Sequence, residues 1–211
     1  MLAGMARYFE VHPHDPQPRS IASVAKIVTD DGVVAYPTDS GFALGTAFGN
    51  RTGIERIRRL RQLPLQHHLS VVVSEFAQLG RYVEMDNRVF RAIKACTPGP
   101  YTFVLQATKE VPRIMQHPRA RTIGVRIPKH VTALALAREL DMPIVTSSLI
   151  LPGRDAPMVD GWQIHEELDH ELDAVLDSGD AGTQSTTVID LSGPEPVLLR
   201  QGGGDPALFE V

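Results

Sequence analysis

The sequence predicts an α/β fold, with helices packed against a β-sheet. Apolar strand-like segments alternate with amphipathic helical segments along most of the 211 residues, and this alternation is typical of the class. Three strand-like segments, at residues 33–45, 122–128 and 144–148, end in hydroxyls, an arginine or glycines. Proteins of this class present polar sites at the ends of sheet strands, so these segments indicate where a binding site is expected.

The first half of the chain is expected to open with an extended lead-in at residues 1–18, since residues 12–18 contain three prolines. A helix is expected to begin near Ser20, an acceptable N-cap residue. Its buried stripe would consist of Ile21, Val24, Ala25 and Val28. The next predicted elements are a strand at 33–36, a helix at 53–61, a strand at 69–73 and a helix at 86–95.

The second half is predicted to contain strands at 101–106, 122–127 and 143–147, and helices at 131–140 and 162–168. Two further strands, at 186–191 and 196–200, are separated by Ser192, Gly193 and Pro194. This turn-forming sequence predicts an antiparallel pair at the edge of the sheet. No internal repeat or low-complexity linker divides the chain, so we predict a single domain over residues 1–211.

The composition restricts the possible functions. The net charge of −4 does not favour a protein coated in basic charge, so any RNA contact is expected from a local patch. The single cysteine, Cys96, excludes an internal disulfide, and no spacing of Cys and His predicts a metal site. No segment has the length of a membrane span or the pattern of a signal peptide, so we expect a cytoplasmic protein without membrane contact.

A polar turn follows the first predicted strand. Thr38, Asp39 and Ser40 come directly after it, and Pro37 restricts the backbone entering the turn. A hydroxyl here can bind a ligand carboxylate or phosphate. Thr38 and Asp39 can equally organise the turn itself, and the residues alone leave both interpretations open.

Basic residues are concentrated on the predicted helix at 53–61 and in the segment after it. A cluster of arginines can hold the phosphates of a nucleotide or of RNA, but it is also typical of a solvated helix face. Histidines that titrate near pH 6.5 can serve in acid–base chemistry or bind an anion, or they can belong to an ordinary surface loop. The residues concerned are Arg56, Arg58, Arg59, Arg61, His67 and His68.

Arg126 lies within the apolar strand predicted at 122–127. A charge at such a position is costly unless it is paired or faces a site. Asp39 and a bound anion are the candidate partners, and a purely structural ion pair is the alternative.

Hydroxyls and a further arginine occur on the remaining strand segments. Ser147 and Ser148 end the strand predicted at 143–147, and Thr186 and Thr187 begin the strand predicted at 186–191. Arg200 ends the last strand. Threonine is generally enriched in edge strands and a terminal arginine is often at the surface, so these residues alone do not define a site.

Five segments, in this order along the chain, resemble the YrdC/YciO family. They are residues 36–45, 97–103, 122–128, 144–148 and 185–190, and the resemblance extends over residues 20–200. It implies a twisted, open, mixed sheet with helices packed on it and a concave basic cleft. One branch of the family, threonylcarbamoyl-AMP synthase, makes an adenylate from threonine, bicarbonate and ATP, and the product is used to modify tRNA adenosine.

The resemblance also implies roles for individual residues. Thr38 would lie beside an amino-acid substrate, and Arg61 and Ser148 would contact a nucleotide. His67 lies in a stretch where the family has Lys or Asn. The other positions that match residues lining the family's cleft are Arg126, Thr186 and Arg200.

Two departures from the synthase branch fall at the expected nucleotide site. Where that branch has Lys-x-Arg-Pro, this chain has Arg61, Gln62, Leu63 and Pro64. Where it has Ser-x-Asn, this chain has Ser148, Leu149 and Ile150. Leucine and isoleucine donate no hydrogen bond, so the chain resembles the YciO branch more closely, and we predict weak or absent synthase activity.

Three functional hypotheses follow from the sequence. In the first, the cleft binds a nucleotide and/or RNA in synthase-like chemistry, with ATP, Mg²⁺, threonine and bicarbonate. In the second, it is a non-catalytic module for double-stranded RNA or tRNA, which would also use Arg56, Arg58 and Arg59. In the third, Leu63 and Ile150 line a reshaped pocket for another small molecule. RNA binding through several phosphates would weaken steeply with salt, which distinguishes the second hypothesis.

Overall fold

The computed structural model describes residues 5–209; the first four and last two residues of the predicted domain lie outside the described residues. The strands are β1 (Arg7–Glu10), β2 (Val34–Thr38), β3 (Gly41–Ala47), β4 (Ser70–Val72), β5 (Tyr101–Gln106), β6 (Thr122–Arg126), β7 (Ile144–Ser148), β8 (Ala174–Asp177), β9 (Thr187–Asp190) and β10 (Val197–Arg200). The α-helices are α1 (Pro18–Thr29), α2 (Arg51–Leu60), α3 (Leu79–Tyr82), α4 (Asn87–Cys96), α5 (Val131–Leu140) and α6 (Gly161–Leu168).

The strands that the structure describes form one open, mixed sheet in the order β1-β8-β2-β3-β7-β4-β6-β5-β9-β10. Neighbours are parallel at β1–β8, β8–β2, β4–β6 and β5–β9, and antiparallel at the other junctions. The predicted α/β class, with an open twisted sheet and packed helices, is confirmed. The predicted antiparallel pair β9–β10 forms one edge.

The helix boundaries follow local capping chemistry. Side-chain oxygens accept hydrogen bonds from backbone amides of the first turn of α2, α4 and α6. The capping residues are Asn50, Asp86 and Asp160, whose partners are the amides of Gly53, Val89 and Gln163. Helix α1 instead begins with Pro18, whose fixed φ suits a first turn.

Both faces of the sheet carry apolar clusters. On one face, α1 and α5 pack against β2, β3 and β8. On the opposite face, α2 and α6 cover β2 and β3, and α4 covers β5 and β6. The predicted stripe of α1, from Ile21 to Val28, is buried in the first of these clusters.

Three strands of the structure, β1, β3 and β8, are not among those that the sequence predicts. β1 lies inside the predicted lead-in and pairs in parallel with β8. β3 follows the polar turn at once, so residues 38–41 connect two antiparallel strands. β8 is a short apolar segment after an acidic stretch, and it forms the bridge between β1 and β2.

Within residues 5–209, the helices are all too short or too polar to cross a membrane.

Candidate functional site

A cavity of about 290 Å³ opens on one face of the half-sheet formed by β7, β4, β6, β5, β9 and β10. The strand register explains its floor, because directly paired residues share a face. Thr146 pairs with Ser70, Ser70 with Gly124, and Gly124 with Val104. A second row is formed by Thr102, Val188 and Arg200.

The cavity exists because small and polar residues alternate with large apolar ones along these strands. The alternate residues Val71, Phe103, Ile123 and Val125 point to the other face and are buried in its apolar cluster. On the cavity side, a Cβ added to Gly124 would collide with the hydroxyl of Ser70. Glycine at this position therefore keeps the floor of the cavity open.

Two arginines reach the cavity from opposite sides. Arg61, at the C-terminal end of α2, donates through Nε to the carbonyl of Ile150 at 3.2 Å and through Nη1 to the hydroxyl of Ser147. Arg200, at the end of β10, donates from Nε to the carbonyl of Thr186 at 3.1 Å and from Nη2 to its hydroxyl at 2.9 Å. Both guanidinium groups are thus oriented by two hydrogen bonds each.

The cavity is positively charged. Among the described residues, no Asp or Glu lines it or forms an ion pair with Arg61 or Arg200. Partial burial, together with the charge of Arg200, lowers the pKa of Arg61 to about 10. Partial burial and the charge of Arg126 likewise lower the pKa of Arg200. Two cations without a counter-charge form a site that favours an anion.

Two histidines form the wall above Arg61. The ring of His67 reaches solvent, yet partial burial and then the charges of Arg61 and Arg58 lower its pKa to about 4. Burial and the neighbouring His117 also lower the pKa of His68, whose ring stacks on that of His117 at a centroid distance of 4.7 Å. Both imidazoles are therefore neutral at pH 7 and do not add to the charge of the cavity.

The cavity brings together five of the seven residues predicted from the sequence as nucleotide or substrate contacts. They are Arg61, His67, Ser148, Thr186 and Arg200. Thr186 is buried and holds Arg200. Ile150, one of the two apolar departures from the synthase pattern, also lines the cavity, whereas Leu63 does not.

The other two predicted residues, Thr38 and Arg126, lie outside the cavity lining. The Thr38 hydroxyl donates to the carbonyl of Gly41 at 2.6 Å and accepts from the Ser40 amide at 3.1 Å, so it organises the turn between β2 and β3. Arg126 is buried and forms an ion pair with Asp39. Its Nε has no hydrogen-bond partner among the described residues.

The arginines predicted as RNA contacts do not share the surface of the cavity. Arg56 pairs with Asp173 at 2.7 Å, and Arg59 lies 3.7 Å from a carboxylate oxygen of Glu171. Arg58 donates to the backbone carbonyls of Pro64 at 2.9 Å and His67 at 3.5 Å. Only Arg61 of this cluster lines the cavity.

Sequence reasoning missed much of the floor. Thr102 alternates with the apolar Tyr101 and Phe103, and Thr146 alternates with Val145, so a period of two would have indicated a polar face. The register that aligns them with Ser70 and Gly124 has no signal in the sequence. The floor lies on a face of the sheet, while Ser148 and Arg200 enter the cavity from the ends of β7 and β10.

A metal ion held by the protein does not fit this lining. Mg²⁺ is usually bound through carboxylates and phosphates, and the lining is made of arginines, histidines, a glutamine, hydroxyls and apolar groups. Elsewhere in residues 5–209, no group of three or more His, Cys, Asp or Glu could hold a metal.

Comparison with known proteins identifies the family to which this fold belongs. A family model named Sua5_yciO_yrdC, described as telomere recombination, matches residues 26–202. The chain belongs to the Sua5/YciO/YrdC family, and the resemblance inferred from the sequence is confirmed.

Particular relatives lie in both branches of the family. The YciO protein of Escherichia coli strain K12 is 41% identical over 205 residues, which cover 97% of this chain and 100% of that protein. The crystal structure of E. coli YciO, with the same coverage, superposes with a TM-score of 0.94.

More distant relatives connect the chain to threonylcarbamoyl-AMP synthase. The synthase of Hydrogenovibrio crunogenus is 34% identical over 140 residues, 64% of this chain and 75% of that protein. The crystal structure of P. abyssi Sua5 complexed with L-threonine has a TM-score of 0.85 at 28% identity, covering 93% of this chain and 57% of that one.

Proposed function

We propose that the cavity binds the phosphate of a nucleotide, free or within RNA, in a protein related to threonylcarbamoyl-AMP synthase. The observation that carries this proposal is the pair Arg61 and Arg200, which line one cavity without a carboxylate partner among the described residues. Guanidinium groups oriented in advance are typical of phosphate recognition.

The other lining residues support a nucleotide. The hydroxyls of Thr102 and Ser148 can donate to phosphate or ribose oxygens. Ile150, Val188 and Leu199 give the cavity an apolar side that suits a base or sugar. His67, neutral at pH 7, can donate to or accept from the ligand without repelling either arginine.

A role for threonine rests on the relatives. The name of the synthase contains a threonylcarbamoyl group, and the Sua5 relative was solved with L-threonine. In this chain, the ion pair with Asp39 keeps the guanidinium group of Arg126 next to the turn that contains Thr38. We therefore propose this neighbourhood, next to Thr38, for an amino-acid carboxylate.

Synthase turnover from ATP, threonine and bicarbonate is expected to be weak or absent. Ile150 offers the ligand no hydrogen bond, and the lining provides no carboxylate to help hold Mg²⁺ on a triphosphate. The chain's own residues would bind and orient a phosphate. The role that we favour is therefore binding of a nucleotide.

Calorimetric titration with AMP and with ATP tests the proposal. Arg61→Met should weaken nucleotide binding at least about tenfold, since a hydrogen bond to a charged group contributes about 1.5–3 kcal/mol. Arg59→Met, which removes the same charge from the same helix but away from the cavity, should leave affinity unchanged. Equal affinities for wild type and Arg61→Met would place the nucleotide elsewhere and refute the proposal.

RNA is the alternative source of the same phosphate. The arginines of α2 contribute little to this alternative, because Arg56 and Arg59 lie against acidic residues. Binding of a short RNA that AMP displaces would locate the RNA phosphate in the cavity. RNA binding that AMP does not displace would indicate another surface.

A further inference from the structure

We propose that the cavity selects a phosphate monoester over a phosphodiester or a triphosphate. The inference rests on the proposed function and defines its ligand class. It would assign the cavity to nucleoside monophosphates or to a terminal phosphate on an RNA, and not to the internal phosphates of an RNA backbone.

The charge of the cavity is the first argument. Arg61 and Arg200 are the cations of the described lining, and its other titratable side chains are His67 and His68. Both histidines are neutral at pH 7, because partial burial and their neighbours lower their pKa values. Asp190 is the one acid that acts on His68, and it does not line the cavity. The cavity thus holds a charge of about +2.

The phosphate classes differ in how well they match that charge. A phosphate monoester carries about −1.5 to −2 at pH 7, which balances two guanidinium groups. A phosphodiester carries one negative charge and leaves one arginine uncompensated. A triphosphate carries more negative charge than two arginines balance, and the lining offers no carboxylate to hold the Mg²⁺ that would offset it.

The remaining hydrogen-bond donors are the second argument. Arg61 uses Nε and Nη1, and Arg200 uses Nε and Nη2, for bonds within the protein. Nη2 of Arg61 and Nη1 of Arg200 have no protein partner in the part of the chain that the structure describes. The phosphate of a monoester has three free oxygens, which can accept hydrogen bonds from Arg61 and Arg200 at the same time. A diester has only two oxygens that are not esterified.

The orientation of Arg200 has its own support. Thr102 and Thr186 share a hydrogen bond between their hydroxyls at 3.0 Å, and Thr186 accepts from Arg200. Thr186 is buried, so this arginine is positioned before any ligand arrives. A side chain that is already oriented loses little conformational entropy when a ligand binds. It also adapts poorly to a ligand whose charge or shape does not match the site.

Matched adenine ligands test the selectivity by calorimetry at pH 7.5. AMP, 3′,5′-cyclic AMP, ATP without Mg²⁺ and adenosine share the same base and differ in phosphate charge. We expect AMP to bind at least about tenfold more tightly than cyclic AMP or ATP, since one further charged contact contributes about 1.5–3 kcal/mol. Adenosine should bind most weakly.

Acidification gives a second readout. The second pKa of a phosphate monoester lies near 6, so AMP affinity should fall between pH 7.5 and pH 5.5 while cyclic AMP affinity stays constant. The same comparison in His67→Gln removes the imidazole closest to the arginines as a source of this pH dependence. A pH dependence of AMP affinity that came from His67 would be lost in His67→Gln, whereas one that came from the phosphate would remain.

The outcomes separate the two proposals. Cyclic AMP or ATP binding as tightly as AMP, in an Arg61-dependent manner, would overturn the selectivity and leave the proposed function standing. Failure of every nucleotide to bind would overturn both.

Discussion

Arg126 shows what a single residue reveals in a sequence and what it does not. Its place in an apolar strand predicts a paired charge or a ligand contact, and Asp39 was one of two candidate partners. The structure places Arg126 at 5% exposure and pairs it with Asp39, which also accepts from the Lys129 amide at 3.0 Å. The turn after β2 is therefore fixed to the end of β6 by a buried ion pair.

Asp39→Ala should lower the free energy of unfolding by about 3–5 kcal/mol, because it leaves the buried Arg126 without its carboxylate. Urea unfolding followed by circular dichroism measures the change. The matched control is Asp30→Ala, which breaks the exposed pair with Lys26 on α1 and should cost no more than about 0.5 kcal/mol. Similar losses in the two variants would contradict a stabilising role for the Arg126–Asp39 pair.

The sequence predicts the arginines of α2 but not which of them are paired with acidic residues. Residues three apart share a helix face, so Arg56 and Arg59 form one pair and Arg58 and Arg61 another, as the spacing alone indicates. Arg56 and Arg59 are held by acidic partners more than a hundred positions away, next to β8, and of the other pair only Arg61 lines the cavity. The sequence carries no sign of these distant contacts, so it indicates the four arginines as one basic cluster.

At the scale of elements, segments with a clear period were predicted well and short segments in polar surroundings were not. The predicted bounds of β5 and α5 coincide with the structure. β1 and β8, each four residues long, are stable only through pairing across the sheet. Such pairing depends on residues distant in sequence, and no local propensity encodes it.

The segment between α2 and β4, residues 61–69, carries His67 and His68 to the cavity. Arg58 lies below it and donates to two of its carbonyls, although it does not line the cavity itself. Arg58 therefore acts as a positioning residue for this wall.

Arg58→Met should weaken AMP binding by up to about thirtyfold, since it removes two hydrogen bonds of about 1 kcal/mol each. It should also raise the pKa of His67 from about 4 toward its ordinary value, because the charge of Arg58 is one of the causes that lower it. Calorimetry measures the first effect and an NMR titration of the imidazole the second.

Arg59→Met is again the control, since Arg59 points to Glu171. It should change neither the AMP affinity nor the pKa of His67. A loss of affinity in Arg58→Met without any change of that pKa would indicate general destabilisation instead of a displaced wall.

At the scale of the whole molecule, the charge distribution limits contact with RNA. The net charge is −4, and Arg56 and Arg59 lie against acidic side chains. The cavity contributes Arg61 and Arg200, so we expect about two contacts between arginines of the cavity and phosphates of a bound RNA.

The salt dependence of RNA binding measures this number. Two contacts predict a slope of about −1.4 for log affinity against log salt, since each phosphate contact on a single strand contributes about −0.7. If the RNA contacts were the six arginines of α2 and the cleft, the slope would be about −4.2 by the same rule; these are Arg56, Arg58, Arg59, Arg61, Arg126 and Arg200. Fluorescence anisotropy with a labelled single-stranded RNA provides the slope, and a value near the steeper figure would mean that the α2 arginines leave their acidic partners.

The uncompensated arginines also bear on how this protein can be engineered. Each guanidinium group disfavours the charged form of its neighbour, so the empty cavity opposes folding slightly and a bound anion relieves that opposition. Substituting Arg61 would therefore stabilise the protein without a ligand and would abolish anion binding in the cavity. A directed-evolution campaign that selected for heat resistance alone would therefore tend to discard this arginine.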